Sequence, residues 1–176
     1  YDVALYHGAR ASQLSIDIVS AQDLRRAEYV LVTVHRAENT DHPERLRVIV
    51  DALTNVASHL PVVWPVHPRT RAVLQREGLH DRLASAVELI DPVGYLDMVS
   101  LERSAAVIAT DSGGVQKEAF FHKVPCVTLR DETEWVELVE SGWNRLISPI
   151  DAEMVAQAIL SARESEGIEV TPYGDG

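Results

Sequence analysis

A single cysteine, Cys126, occurs among the 176 residues. No internal disulfide can form, and a reducing compartment is implied. Cys126 lies in the apolar run from Pro125 to Leu129, where a buried, inert thiol is expected rather than a nucleophile. Positive charge is scarce: 16 Lys and Arg face 27 Asp and Glu, a formal net charge of −11. That balance argues against a nucleic-acid partner, because phosphate backbones would be repelled. One small anion remains admissible, since backbone dipoles build a local anion site without net charge. Long hydrophobic runs are missing too: none reaches the length of a membrane span, and Tyr1-Asp2 does not begin like a signal peptide. The expectation is a soluble, cytoplasmic protein with no membrane partner. Apolar residues at 46% and charged residues at 24% suffice for a packed core, and 176 residues suit one α/β domain better than two.

What is present alternates between strand and helix patterns. Val3 to Ile18 reads as helical, and Tyr29 to Val34 as a buried strand. Asp41 is placed to cap a helix with Glu44 three residues on, whose Leu46, Ile49, Val50, Leu53 and Val56 share one face. Pro61 to Val66 reads as a strand, Arg69 to Glu77 as a helix stopped by Gly78, and Ala86 to Ile90 as a strand. Gly94 to Arg103 is helical, Ala105 to Ala109 a strand, Pro125 to Leu129 a strand, Thr133 to Glu140 a helix and Arg145 to Ile147 a short strand. A capped helix from Asp151 to Ala162 closes the series with Val155, Ala158, Ile159 and Ala162 as its buried stripe. Such alternation predicts a parallel sheet covered on both faces, with ligands bound beyond the carboxyl ends of the strands. His35, His67, Asp111 and Arg130 fall at those ends.

The segment from Val107 to Pro125 carries the strongest chemical signal. An apolar run stops at Thr110-Asp111, turns through Ser112-Gly113-Gly114 and opens a helix with Glu118 on its first turn. Two glycines allow close backbone approach and unusual dihedrals, and the helix start presents free N–H groups and a positive dipole end, which suits a phosphate or diphosphate. The Glu118 carboxylate, a turn beyond Gly114, suits a ribose diol. The same residues also fit an ordinary strand-to-helix turn with Ser112 as N-cap and Glu118 in solvent. Three further clusters lie at strand ends: His35 to Asn39, which suits anion binding and proton movement, Val66 to Arg69, and Leu129 to Trp135. Each has an ordinary alternative in a solvated loop or a helix cap.

The segments VTVHRAEN (32–39), PVHPRT (65–70), IDPVGYLDM (90–98), TDSGGVQKEA (110–119) and LRDETEWVE (129–137) resemble, in order and spacing, the non-hydrolysing UDP-N-acetylglucosamine 2-epimerases. The resemblance implies the Rossmann-like, UDP-binding second domain of a glycosyltransferase B type fold. On that basis residues 1–22 would form the interdomain helix and linker, 23–170 the UDP-binding domain, and 171–176 the start of a C-terminal glycine motif. It further implies that Ser112, Gly113 and Gly114 hold the diphosphate, that Glu118 holds the ribose, and that Arg130, Met98 and Val93 line the UDP site. His35 would be the catalytic residue on this half, and Arg36 and His67 would belong to a second, allosteric UDP-sugar site. The implied reaction inverts C2 of the sugar, UDP-GlcNAc to UDP-ManNAc, by elimination of UDP to a glycal and re-addition to the other face, with no metal or redox cofactor. Implied partners are an N-terminal domain bearing the carboxylates that handle the C2 proton, and a second copy in a full-length homodimer; the setting would be polysaccharide biosynthesis.

Three positions depart from the family pattern. Trp135 stands where many members have Arg, and Val93 and Met98 stand where they have Gln and Phe around the nucleoside. An indole lacks a guanidinium's charge and fork of donors, so the sugar-nucleotide contact must differ. A 2-epimerase of UDP-2,3-diacetamido-2,3-dideoxyglucuronate is therefore an alternative, as are the nucleotide half of a glycosyltransferase and a nucleotide-sensing module.

Overall fold

The computed structural model describes residues 18–165, 167 and 168. The opening helical segment to residue 17 and the glycine motif at 171–176 lie outside the described residues. Six strands form one sheet: β1 (Val30–Thr33), β2 (Val62–Pro65), β3 (Glu88–Ile90), β4 (Val107–Thr110), β5 (Cys126–Leu129) and β6 (Asn144–Ile147). Every neighbouring pair is parallel and the order is β3-β2-β1-β4-β5-β6. Strand order reverses between β1 and β4, where Thr33 pairs with Thr110, so the sheet's switch point lies at their carboxyl ends. The nine helices among the described residues are α1 (Ile18–Ala21), α2 (Ala37–Thr40), α3 (Pro43–Ala57), α4 (Pro68–Arg76), α5 (His80–Ala84), α6 (Tyr95–Ser104), α7 (Gly113–Phe121), α8 (Val136–Glu140) and α9 (Ala152–Ala162).

The central strands β1, β4 and β5 are buried along their whole length because both faces are covered, whereas the edge strands β3 and β6 carry the exposed Glu88 and Arg145. Val30 and Val32 face a cluster with Leu46, Ile49, Val50 and Leu53 of α3 and Val155 and Ile159 of α9. Tyr29 and Leu31 face the other cluster, with Leu101 of α6 and Val115 and Ala119 of α7. Each wholly buried aliphatic side chain stabilises the fold by about 1.5–3 kcal/mol, and these two apolar layers make the sheet a rigid floor for the loops above it.

Several expected boundaries move for local reasons. Asp41 does not cap α3: it ends α2 and binds Arg69 through both oxygens at 2.9 Å, while His42 takes the N-cap position without a side-chain bond and Pro43 opens the helix. Asp151 does cap α9, accepting from Met154 N at 2.9 Å. The α8 helix starts at Val136 rather than Thr133, because the Thr133 hydroxyl is engaged by Gln116 and by Trp135 N. Strand β3 starts at Glu88: Val87 N still bonds back to Leu83 O at 2.8 Å in the turn leaving α5, a helix the sequence pattern did not suggest. Strand β4 likewise starts later than expected, at Val107, and runs to Thr110.

Candidate functional site

At the switch point the chain leaves β4 through Asp111, a wholly buried carboxylate. Its Oδ2 accepts from Arg36 N at 2.9 Å and Asn39 Nδ2 at 3.0 Å, and His35 N donates to both oxygens at 3.1 Å. The His35 ring brings Nδ1 within 3.6 Å of Oδ1. Asp111 thus ties the loop after β1 to the end of β4 and orients His35, whose side chain is half exposed. Asn39 extends the network by donating to Leu129 O at 2.9 Å and accepting from Arg45 Nε at 3.2 Å. Arg45 binds Asp131 at 3.0 Å, and the Ser148 hydroxyl also donates to Asp131. The hydroxyl bond first and the guanidinium next hold Asp131 below the usual carboxylate range.

The glycine turn sits directly on this anchor. Ser112 N donates to Thr110 Oγ1 at 2.9 Å, and Ser112 occupies the N-cap position of α7 without a side-chain capping bond. Gly113 and Gly114 are therefore the first two residues of the helix, and neither has positive φ; among described glycines only Gly78 and Gly142 do. Their value is space rather than unusual dihedrals. Gly114 is exposed and a Cβ there would meet nothing nearer than Ser112 Oγ at 3.9 Å, which leaves room beside the helix start, where the first-turn N–H groups lack intrahelical partners. A Cβ on Gly113 would run into the Glu134 carboxylate, which is how closely the loop after β5 approaches.

That loop is braced from three sides. The Trp135 indole donates to Gly113 O at 2.9 Å, and Lys117 Nζ lies 4.1 Å from the centre of its ring. The one donor of the indole is thus engaged by the turn. Buried Gln116 accepts from Thr133 Oγ1 at 2.6 Å and from Asn144 Nδ2 at 3.0 Å, tying α7 to the loop and to β6. Arg130 is nearly buried and grips two carboxylates, Glu38 at 3.0 Å and Glu134 at 2.7 Å. Arg36 lies 3.8 Å from Glu134. Arg130, expected to line the UDP site, is thus held by protein acids, and its guanidinium closes the loop over β1 and β5.

Glu118 lies on the second turn of α7 rather than the first, and faces α6. It is half-buried and lies beside Tyr95 and Glu102 where α7 packs on α6. Burial first, and the neighbouring Glu102 charge next, push its carboxyl up to about 7. Burial pushes Glu102 up to about 8 and, with Arg103 as second cause, pushes His122 down to about 4. Val93 and Met98 are partly buried against the apolar cluster of Leu101, Val115 and Ala119, and Tyr95 is half exposed. His67 stands apart as the N-cap of α4, its Nδ1 accepting from Arg69 N at 3.2 Å. The structure thus brings His35, Arg36, Arg130 and the glycine turn together, places Glu118 against α6, and leaves His67 one strand away.

Sequence reasoning included Asn39 in the His35 to Asn39 cluster without giving it a partner, and gave no role to Gln116, Tyr95, Glu102 or His122. The available signals were faint: Asn39 and Gln116 are polar residues on short helices with no visible partner. Glu102 is an acid one residue beyond Leu101 near the end of the Gly94 to Arg103 helix, and His122 follows Glu118 at i,i+4 spacing.

The family model for UDP-N-acetylglucosamine 2-epimerase matches residues 1–176. The chain belongs to the UDP-N-acetylglucosamine 2-epimerase family. It is 46% identical over 176 residues to a UDP-2,3-diacetamido-2,3-dideoxy-D-glucuronate 2-epimerase of Pseudomonas aeruginosa, covering 99% of this chain and 47% of that protein. It is 47% identical over 149 residues to a UDP-N-acetylglucosamine 2-epimerase homolog of Methanococcus maripaludis, 84% of this chain and 41% of the relative. The crystal structure of Methanocaldococcus jannaschii UDP-GlcNAc 2-epimerase in complex with UDP-GlcNAc and UDP superposes with a TM-score of 0.90 at 37% identity, covering 99% of this chain and 49% of that one. The family's Rossmann-like fold is therefore present, in a chain that spans roughly half the length of the relatives it matches. Among the described residues no helix is long and apolar enough to cross a membrane, and no group of three or more His, Cys, Asp or Glu could hold a metal ion.

Proposed function

We propose that this chain is the UDP-sugar-binding half of a family 2-epimerase. The observation that carries the reading is the opening of α7 at the switch point: a helix N-terminus with two glycines, an uncommitted Ser112 hydroxyl and free space over Gly114. The diphosphate sits there, Glu118 accepts from the ribose, and Val93, Met98 and Tyr95 flank the nucleoside. His35, oriented by Asp111, reaches the sugar from the loop after β1. Arg36 and His67 belong to a second UDP-sugar site. In the whole protein a base removes the C2 proton, the C1–O electrons leave with UDP as the C1=C2 bond forms, and re-addition with reprotonation on the other face gives the C2 epimer. The base comes from the other half, and the full-length protein works as a cytoplasmic homodimer.

Titration calorimetry tests the binding role: UDP should bind more tightly than UMP or uridine, and equal affinity for uridine and UDP would remove the diphosphate from Ser112 to Gly114. The division of labour is tested with UDP-GlcNAc in deuterium oxide. The chain alone should give no C2 deuteration, because half a cleft neither positions the base nor excludes water; turnover by the chain alone would assign the base to His35 or Glu38. A second substrate reading is favoured by the 46% identity to the diacetamido-glucuronate enzyme and by Trp135, whose donor serves Gly113 rather than a ligand. Offering both UDP-sugars to the completed enzyme separates the two.

A further inference from the structure

Glu102 is an acid where the fold needs none. It sits on α6 with about 1% exposure, both carboxyl oxygens are buried, and no donor among the described residues bonds to either. The nearest basic atom, His122 Nε2, is 3.7 Å away, too far for a hydrogen bond, and burial keeps that ring neutral near pH 7. What lies in reach is the Glu118 carboxyl. Two carboxylates are acceptors only, so they can bond only if a proton lies between them. The titratable groups acting on the pair are Tyr95 from α6, His122 from the end of α7 and Cys126 from β5, while Arg103 acts on His122. Cys126 is pushed up to about 12 by burial and stays a thiol, and among the described residues no donor bonds either Glu102 oxygen, so a second negative charge there would stand uncompensated.

We propose that Glu102 is a positioning residue for nucleotide binding: it shares one proton with Glu118 and thereby holds that carboxylate, at a single charge for the pair, in place for the ribose diol. The inference rests on the reading of Glu118 as the ribose acceptor. With one proton in the pair, Glu102 and Tyr95 donate to Glu118 and its remaining lone pairs face the diol. Protonation of Glu118 removes the charged acceptor. Loss of the last proton sets two negative charges side by side and drives the carboxylates apart.

The test combines a ligand-free titration with binding. Carbon-13 NMR of the glutamate carboxyls, assigned with Glu102→Gln and Glu118→Gln, should show both groups titrating above pH 6 in the unmodified chain. Glu102→Gln, which keeps a donor but cannot ionise, should move Glu118 down. UDP affinity by calorimetry should fall about tenfold between neutral pH and pH 9, the loss of one charge-assisted hydrogen bond. Glu102→Gln should abolish that fall, and Glu102→Leu should weaken UDP by about tenfold already at neutral pH. The 2′,3′-dideoxy analogue of UDP, which shares base and phosphates, should show none of these effects. Ordinary carboxyl titrations near pH 4.5, or identical UDP profiles for the three proteins, would overturn the proposal. No UDP binding by the unmodified chain would overturn the nucleotide reading and the positioning role with it, and the ligand-free titrations distinguish that failure from the first.

Discussion

Replacing Gly114 by alanine should separate binding from folding. Gly114 is the second residue of α7, has no positive φ, and offers a new Cβ open space apart from Ser112 Oγ at 3.9 Å. The folded state therefore accepts the methyl without strain, while the unfolded chain loses freedom, a net stabilisation of about 0.4–1 kcal/mol. The same methyl leans toward the helix N-terminus, as every Cβ on a helix does, into the space through which a diphosphate oxygen must come to reach the first-turn N–H groups. Losing one such charge-assisted hydrogen bond costs about 1.5–3 kcal/mol, so the Kd for UDP should rise by about ten- to a hundredfold. Urea unfolding measures the first effect and titration calorimetry the second, with uridine as a control whose affinity stays unchanged. Undiminished UDP binding by a stabilised Gly114→Ala chain would refute the placement of the diphosphate over this turn.

Glu118→Ala should weaken UDP by about 1.5–3 kcal/mol and leave its 2′,3′-dideoxy analogue unaffected in the same calorimetric assay; an unchanged Kd for UDP puts Glu118 outside the site. Asp111→Ala strips the acceptor from His35 N, Arg36 N and Asn39 Nδ2, a loss of about 1–3 kcal/mol for each donor left buried and unpaired, read by urea unfolding, whereas Asp111→Asn, with its amide oxygen in the Oδ2 position, should lose less than half of the total. For Glu102 the sign follows from a folded value raised to about 8 against 4.5 unfolded: its contribution is fully present below about pH 4.5 and is lost as pH rises toward 8. Glu102→Gln should gain stability over the unmodified chain by an amount that grows across that window, on the order of a few kcal/mol; a difference that is flat with pH sinks the assignment of Glu102 as a neutral buried acid.

The parallel sheet was legible because its central strands are buried on both faces and therefore read as unbroken apolar runs, and α3 and α9 because each leaves a stripe at helical spacing. One-turn elements were not legible. Helices α2 and α5 are four and five residues long, too short for a periodicity to show. Asp41 looked like a cap because Glu44 follows it at the right spacing. The guanidinium of Arg69, 28 residues away, claims it instead, and only the packing of α4 beside α2 decides that competition.

The site divides along the same line. Asp111 and the glycine turn are contiguous in sequence, so their place at the end of β4 and the start of α7 was legible, although space rather than dihedral freedom is what the glycines contribute. Arg130 was expected to line the UDP site on the resemblance, and its pairing with Glu38, 92 residues away, was not visible in sequence. A charge that looks available in sequence is, in a chain with 27 acids, most economically satisfied by one of them. The corollary concerns Glu118. A carboxylate presented to a ribose must be held in place, and a second, buried acid that keeps its proton supplies a donor to it without adding a charge. Glu102 lies 16 residues before Glu118 on a different helix, so the device is invisible until α6 packs on α7.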